Sequence, residues 1–143
     1  MIRYFAYLWA SPATCIGLLF VASTLLSGGR CRIISGVIEV HGGLTARWLA
    51  GGCTGARSWS AMTLGHVVLG RDEHSLASSR VHERVHVRQY ERWGLLFFPA
   101  YLLLSLWAWL RGGDMYFNNA FEREAFNAGR EPPGKSAHDT HLR

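Results

Sequence analysis

Apolar residues fall in two long unbroken runs and several short ones, and this pattern divides the chain. From Phe5 to Leu26 there are 22 residues without a charge, with Arg3 before them and Ser27-Gly-Gly-Arg30 after. A helix of that length spans a bilayer. Three readings compete for it: an uncleaved membrane anchor, a cleaved signal peptide and a buried core helix. The single n-region charge, Arg3, and the poor cleavage site near Ala22 and Thr24 favour the anchor. From Cys31 to Asp72 the pattern changes. RIISGVIEV, LTARWLA and SAMTLGHVVLG are short β-branched and aromatic runs separated by HGG and GGCTGARS, which predicts three strands joined by Gly-rich turns. Ser78 or Ser79 is then placed to cap a helix running through RVHERVHVRQYERW to about Gly94, a helix-ending glycine. The second long run, Gly94 to Leu110, has 17 residues and contains Pro99, at the lower limit for a spanning helix. Met115 to Ala128 predicts a last helix, begun near Asn118 or Asn119, and the tail from Gly129 is predicted to be disordered. The expected fold class is α+β, with a membrane anchor over 1–29, a domain over 30–128 and a tail over 129–143. The domain is expected to hold a small antiparallel sheet, a His-bearing helix, the apolar segment 94–110 and a later Glu-bearing helix.

Composition sharpens the membrane question. The 143 residues are 49% hydrophobic and only 17% charged, which excludes a disordered or collagen-like chain. The net charge of +5 is almost wholly arginine, a bias suited to phosphate-rich surfaces. No nucleic-acid reading motif accompanies it, so no nucleic-acid partner is expected. The three cysteines, Cys15, Cys31 and Cys53, form no CxxC pair, and only Cys31 with Cys53 is a plausible bridge, in an exported chain.

The chemistry concentrates in His82-Glu83-Arg84-Val85-His86, an HExxH on a predicted helix. Residues four apart share a helix face, so two imidazoles reach one metal while Glu83, beside the first, is placed to take a proton from water. A catalytic zinc site takes three protein ligands and keeps one position open, so a further acid or His is required. The candidates are Glu122, Glu124, His66 and His74. At about 100° per residue, Gln89, His82, Trp93 and His86 fall in one narrow arc, flanked by Tyr90 and Glu83. Arg80, Arg84, Arg88 and Arg92 form a ladder on the other side, where like charges four apart repel, so a lipid or protein partner is expected for that face. Gln89, Tyr90 and Tyr116 are candidates for touching substrate or the transition state, the tyrosines by donating to an oxyanion, against plain packing roles.

With these residues the chain resembles the zincin metallopeptidases, in the branch whose third ligand is a glutamate on a later helix, as in the HtpX-type membrane proteases. That glutamate lies in an E-x-x-A-D pattern, which Glu122-Arg123-Glu124-Ala125-Phe126 matches except for the Asp. The resemblance implies one Zn2+ per chain on His82, His86 and Glu122, with Glu83 as general base and then general acid. It also implies that the strand before the HExxH helix, Thr63 to Leu69, pairs with an extended peptide or protein substrate. The continuation His-x-x-Gln through Gln89 is similar to some small secreted or phage-tail zincin-like domains. Arg84 and Arg88 depart from the family pattern, which usually carries an apolar residue right after the HE pair and avoids charge two positions beyond the second His. The resemblance covers Ala61 to Ala128.

The metal hypothesis constrains topology. If Gly94 to Leu110 crossed a membrane once, Glu122 would emerge opposite His82 and His86. The expectation is therefore a segment that folds back, as a core helix or dipping into one leaflet, and one spanning segment rather than two. Arg30, Arg32 and Arg47 follow the anchor while only Arg3 precedes it, which puts the catalytic region in the cytoplasm, with export after signal cleavage as the alternative. The competing function is a non-catalytic small membrane protein, with a degenerate zinc site or none, docked through its Arg-rich helix on anionic lipid or a partner.

Overall fold

The structure, a computed structural model, describes residues 2–51 and 59–130, with side chains from residue 6 onward. Cys53, most of the GGCTGARS segment and the expected tail from residue 131 lie outside the described residues. In chain order the elements are α1 (Ile2–Leu26), β1 (Arg30–Ile34), β2 (Val37–His41), α2 (Gly43–Gly51), β3 (Ala61–Leu64), β4 (Val67–Gly70), α3 (Glu73–Trp93), a 3-10 turn (Gly94–Leu96), α4 (Phe97–Leu110) and α5 (Ala120–Arg130). The class is α+β, as the pattern predicted, but the strands differ in number and direction.

Two of the three predicted strands are hairpins. RIISGVIEV reverses at Ser35-Gly36, both at positive φ, and SAMTLGHVVLG reverses at Gly65-His66, with Gly65 at positive φ. These are the backbone signs demanded by two-residue hairpin loops. The third, LTARWLA, lies in helix α2. It buries Thr45 and Leu49, four residues apart on one face, which is helical rather than strand periodicity. With α2 and β3 between them in the chain, β2 and β4 pair in parallel, so the sheet is mixed, not antiparallel, with order β1-β2-β4-β3. Parallel pairs are covered on both faces. Accordingly every residue of β4 is buried.

The pleat sorts the core into two layers. Val40, Val67 and Leu69 pack with Leu49 of α2, and Phe20 and Val21 of α1 lie against them. On the opposite face Val37 and Val68 meet Leu76 and Val87 of α3. Helix α1 therefore forms part of one layer of the fold, while Leu8, Leu19 and Leu26 on its other side are exposed.

Glu39 is the polar exception on the α3 face. It is buried, and Arg80 donates to both of its oxygens, Nε at 2.9 Å and a terminal nitrogen at 3.1 Å; Arg32 adds a contact at 3.4 Å. Arg84 donates to the carbonyls of Ile34 and Ser35 in the β1-β2 turn. The partner expected for the arginine ladder is thus supplied in part by the protein itself, and of its four arginines only Arg88 and Arg92 are exposed. Burial opposes ionisation of Glu39, but the hydrogen bond and charge of Arg80, with Arg32, outweigh it and hold the carboxyl below its ordinary 4.5. Glu39→Ala is expected to lower unfolding stability by about 2–4 kcal/mol, a moderate figure because the arginines keep partial exposure to water. A carboxyl depressed in the folded state stabilises above its unfolded value and stops doing so as the pH falls through the folded one. Denaturant midpoints of wild type and Glu39→Ala should therefore converge in acid.

Candidate metal centre

Two caps fix the helices that build the centre. Helix α3 starts nearly two turns before the predicted Ser78 or Ser79: its N-cap Asp72 accepts from the Ser75 N–H at 2.7 Å, and serines inside the helix bond back to the Ser75 carbonyl instead. It ends at Gly94, whose N–H donates to the Tyr90 carbonyl. Helix α5 starts after Asn119, buried, whose side-chain oxygen accepts from the Phe121 N–H at 2.9 Å. The Asn119 amide nitrogen donates to the Tyr101 carbonyl at 3.0 Å and the Ser105 hydroxyl at 2.8 Å, tying the start of α5 to α4.

With both helices fixed, three side chains converge. His82 Nε2 and His86 Nε2 are 3.1 Å apart, His82 Nε2 is 3.2 Å from Glu122 Oε2, and His86 Nε2 is 3.4 Å from Glu122 Oε1. His82, His86 and Glu122 thus form a group able to hold a metal ion. Ligands 2.0–2.1 Å from a tetrahedral ion stand about 3.3–3.4 Å from one another; each imidazole approaches that spacing to a different Glu122 oxygen, and with one donor atom per residue the three lie within 4.8 Å of one another. Glu122 Oε2 is buried without a hydrogen-bond partner among the described residues, since His82 approaches it outside hydrogen-bonding geometry. Burial opposes the charge on Glu122, but the neighbouring His82 and His86 side chains and Tyr101 outweigh it and hold the carboxyl at about 2. A buried anionic oxygen facing imidazole nitrogens is what a cation satisfies.

The surrounding groups orient these donors. The Gln89 amide donates to the Phe121 carbonyl at 3.1 Å and to Glu124 Oε2 at 2.9 Å, so its oxygen faces His86 Nδ1 at 2.8 Å. That arrangement puts the His86 proton on Nδ1 and leaves the Nε2 lone pair toward the centre. The Tyr101 hydroxyl donates to Glu122 Oε1 at 2.8 Å. Sequence reasoning missed Tyr101; the signal was a hydroxyl within an apolar run, one turn from Ser105. Glu83 is buried on the sheet side of α3, and the Thr63 hydroxyl of β3 donates to its Oε2 at 2.7 Å. Burial pushes the Glu83 carboxyl up, against the pull of His86, Thr63 and His82.

No protein-family model matches this chain, and neither a curated protein nor a solved structure matches it.

The other candidates lie elsewhere. His66 is bonded to Glu91 at 3.0 Å beside Thr14 and the Tyr7 ring, and His74 is exposed in the first turn of α3. Glu124 receives the Gln89 amide instead of joining the donor atoms. Tyr90 packs at a tilt against Phe97 in an apolar cluster, where burial pushes its hydroxyl up to about 12, a packing role. Tyr116 packs on Phe126, whose ring lies against His82, one ring away from the donors.

Proposed function

We propose that the chain is a membrane-associated zinc peptidase, with His82, His86 and Glu122 as the protein ligands of one zinc. The observation that carries this reading is the convergence of two imidazoles and an anionic carboxylate within 4.8 Å of one another, with a buried carboxylate, Glu83, next in sequence to the first ligand. Two imidazoles and one carboxylate leave a fourth position for water or substrate, the pattern of catalytic rather than structural zinc, although other divalent transition ions accept the same donors. Zinc held there supplies Lewis-acid polarisation of a peptide carbonyl and acidifies water at neutral pH.

The chain's own residues do the rest. Glu83, its basicity raised by burial, takes the proton of the attacking water and delivers it to the leaving amine. Thr63 holds one oxygen of Glu83 and thereby sets where the other points. β3 is an edge strand of the sheet, so among the described residues its outer edge is free to pair with an extended peptide. Ala6–Leu26 and the helical stretch ending at Leu110 are long and apolar enough to cross a membrane, and α1 supplies the attachment in this reading. In this reading the excess of arginine after α1 favours the cytoplasmic side for the domain. Because Arg80 and Arg84 are engaged within the fold, the rival reading of a non-catalytic protein docked through its arginine ladder draws less support.

Removing the hydrogen bond that orients a ligand typically costs 10- to 100-fold in metal affinity, so Gln89→Ala and Tyr101→Phe are each expected to weaken zinc binding by about that factor in competition with a chromogenic chelator. The activity itself is tested with a quenched-fluorescent peptide library and detergent-purified protein. Cleavage should stop on chelation and return with added zinc. A zinc-loaded protein that cleaves no peptide would refute the peptidase reading.

A further inference from the structure

Helix α4 is apolar on every side, yet only one side is buried. Phe97, Ser105 and Ala108 are buried and Tyr101 is half-buried, one stripe at helical spacing that faces α5 and the metal centre. The opposite stripe, Phe98, Leu102, Leu103, Leu106 and Leu110, is exposed, Leu103 by 66%. A helix on the surface of a water-soluble domain carries polar residues on its outer face, and one that is hydrophobic all round sits in a protein core or in lipid. The described fold does not cover this face.

The flanks indicate what does. No charge occurs from Gly94 to Leu110, while Arg92 and Arg111 bracket the run. Trp93 lies at one end and Trp107 and Trp109 at the other, all exposed, with the Arg111 guanidinium 4.6 Å above the Trp107 ring. Tryptophan and arginine bracketing an apolar stretch match the interfacial zone of a bilayer, and a net charge of +5 complements anionic headgroups. Both ends of α4 also stay on one side. Trp93 before it and Phe121 after it pack edge to face at 5.7 Å, and Glu122 reaches back to His82 and His86. Helix α4 therefore does not cross.

We propose that α4 is a docking helix whose outer face enters one leaflet of a lipid bilayer without crossing it, which seats the His82, His86 and Glu122 centre beside the membrane surface. The docking rests on exposure, charge and chain return, not on the zinc-peptidase reading; together with that reading it makes the natural substrate of the centre a peptide segment lying at the membrane. Tyr101 is the physical link, since it sits on the docking helix and donates to the third ligand.

The test uses full-length protein in sealed vesicles of phosphatidylcholine with phosphatidylglycerol, with Cys15, Cys31 and Cys53 replaced by serine. An environment-sensitive fluorophore is placed at Leu103→Cys on α4 or at Arg88→Cys on the exposed face of α3. The Leu103 label is expected to be quenched by nitroxide-labelled lipid chains and shielded from aqueous iodide, and the Arg88 label the reverse. In oriented membrane vesicles, Arg88→Cys and Arg111→Cys should react with an impermeant maleimide from the same side. Zinc content is measured on each sample, so that loss of docking and loss of the metal are read separately. A Leu103 label open to iodide overturns the docking and leaves the metal centre standing. A label shielded from both quenchers means that another protein copy covers the face, and also overturns it. Reaction of Arg88 and Arg111 from opposite sides means that α4 crosses, and overturns both the docking and the assembly of Glu122 with the two histidines.

Discussion

Glu83→Gln is expected to lower peptide hydrolysis by about 10²- to 10⁴-fold while the metal content stays at the wild-type level. The substitution keeps the side chain's size, and a glutamine oxygen can still accept from the Thr63 hydroxyl that holds Glu83 Oε2 at 2.7 Å, so the buried position remains satisfied. The carboxylate that takes a proton is lost. Glu83 is not among the three converging donors, so the metal should remain. Loss of metal together with activity would show that Glu83 supports the site rather than acting on water. Retained activity would remove it from the mechanism.

The second large effect separates two glutamates on one helix. Glu122→Ala is expected to weaken zinc binding by more than 100-fold, because it removes a ligand rather than a group that orients one. Glu124→Ala removes only an acceptor of the Gln89 amide and should cost 10-fold or less. Dissociation constants from chelator competition decide between them. If Glu124→Ala proved the more damaging, the donor set would have to rearrange around Gln89.

The site was more legible in the sequence than the sheet was, for a physical reason. His82 and His86 share a helix face through local geometry alone, so a five-residue pattern sufficed to put them together. Glu122 required a fold-level resemblance, since nothing local shows that α5 returns to α3. The hairpins escaped because Ser35-Gly36 and Gly65-His66 are two-residue turns embedded in continuous β-branched runs, where periodicity alone gives one longer strand. LTARWLA read as a strand because its short apolar run fits either period; its burial at Thr45 and Leu49 shows the helical one. The arginine ladder was visible, but its partner, Glu39, lies more than forty residues earlier on β2, beyond any local pattern. Tyr101 was hidden for a similar reason: its role depends on α5 folding back across α4.

The central claim is that one zinc sits on two imidazoles and one carboxylate with a position left open. The most direct measurement is zinc-edge X-ray absorption on full-length protein reconstituted to one metal per chain. The account predicts about four nitrogen or oxygen neighbours near 2.0–2.1 Å, with the outer-shell signature of two imidazoles and no sulfur. A sulfur neighbour near 2.3 Å, fewer than two imidazoles, or failure to retain one zinc per chain would contradict it.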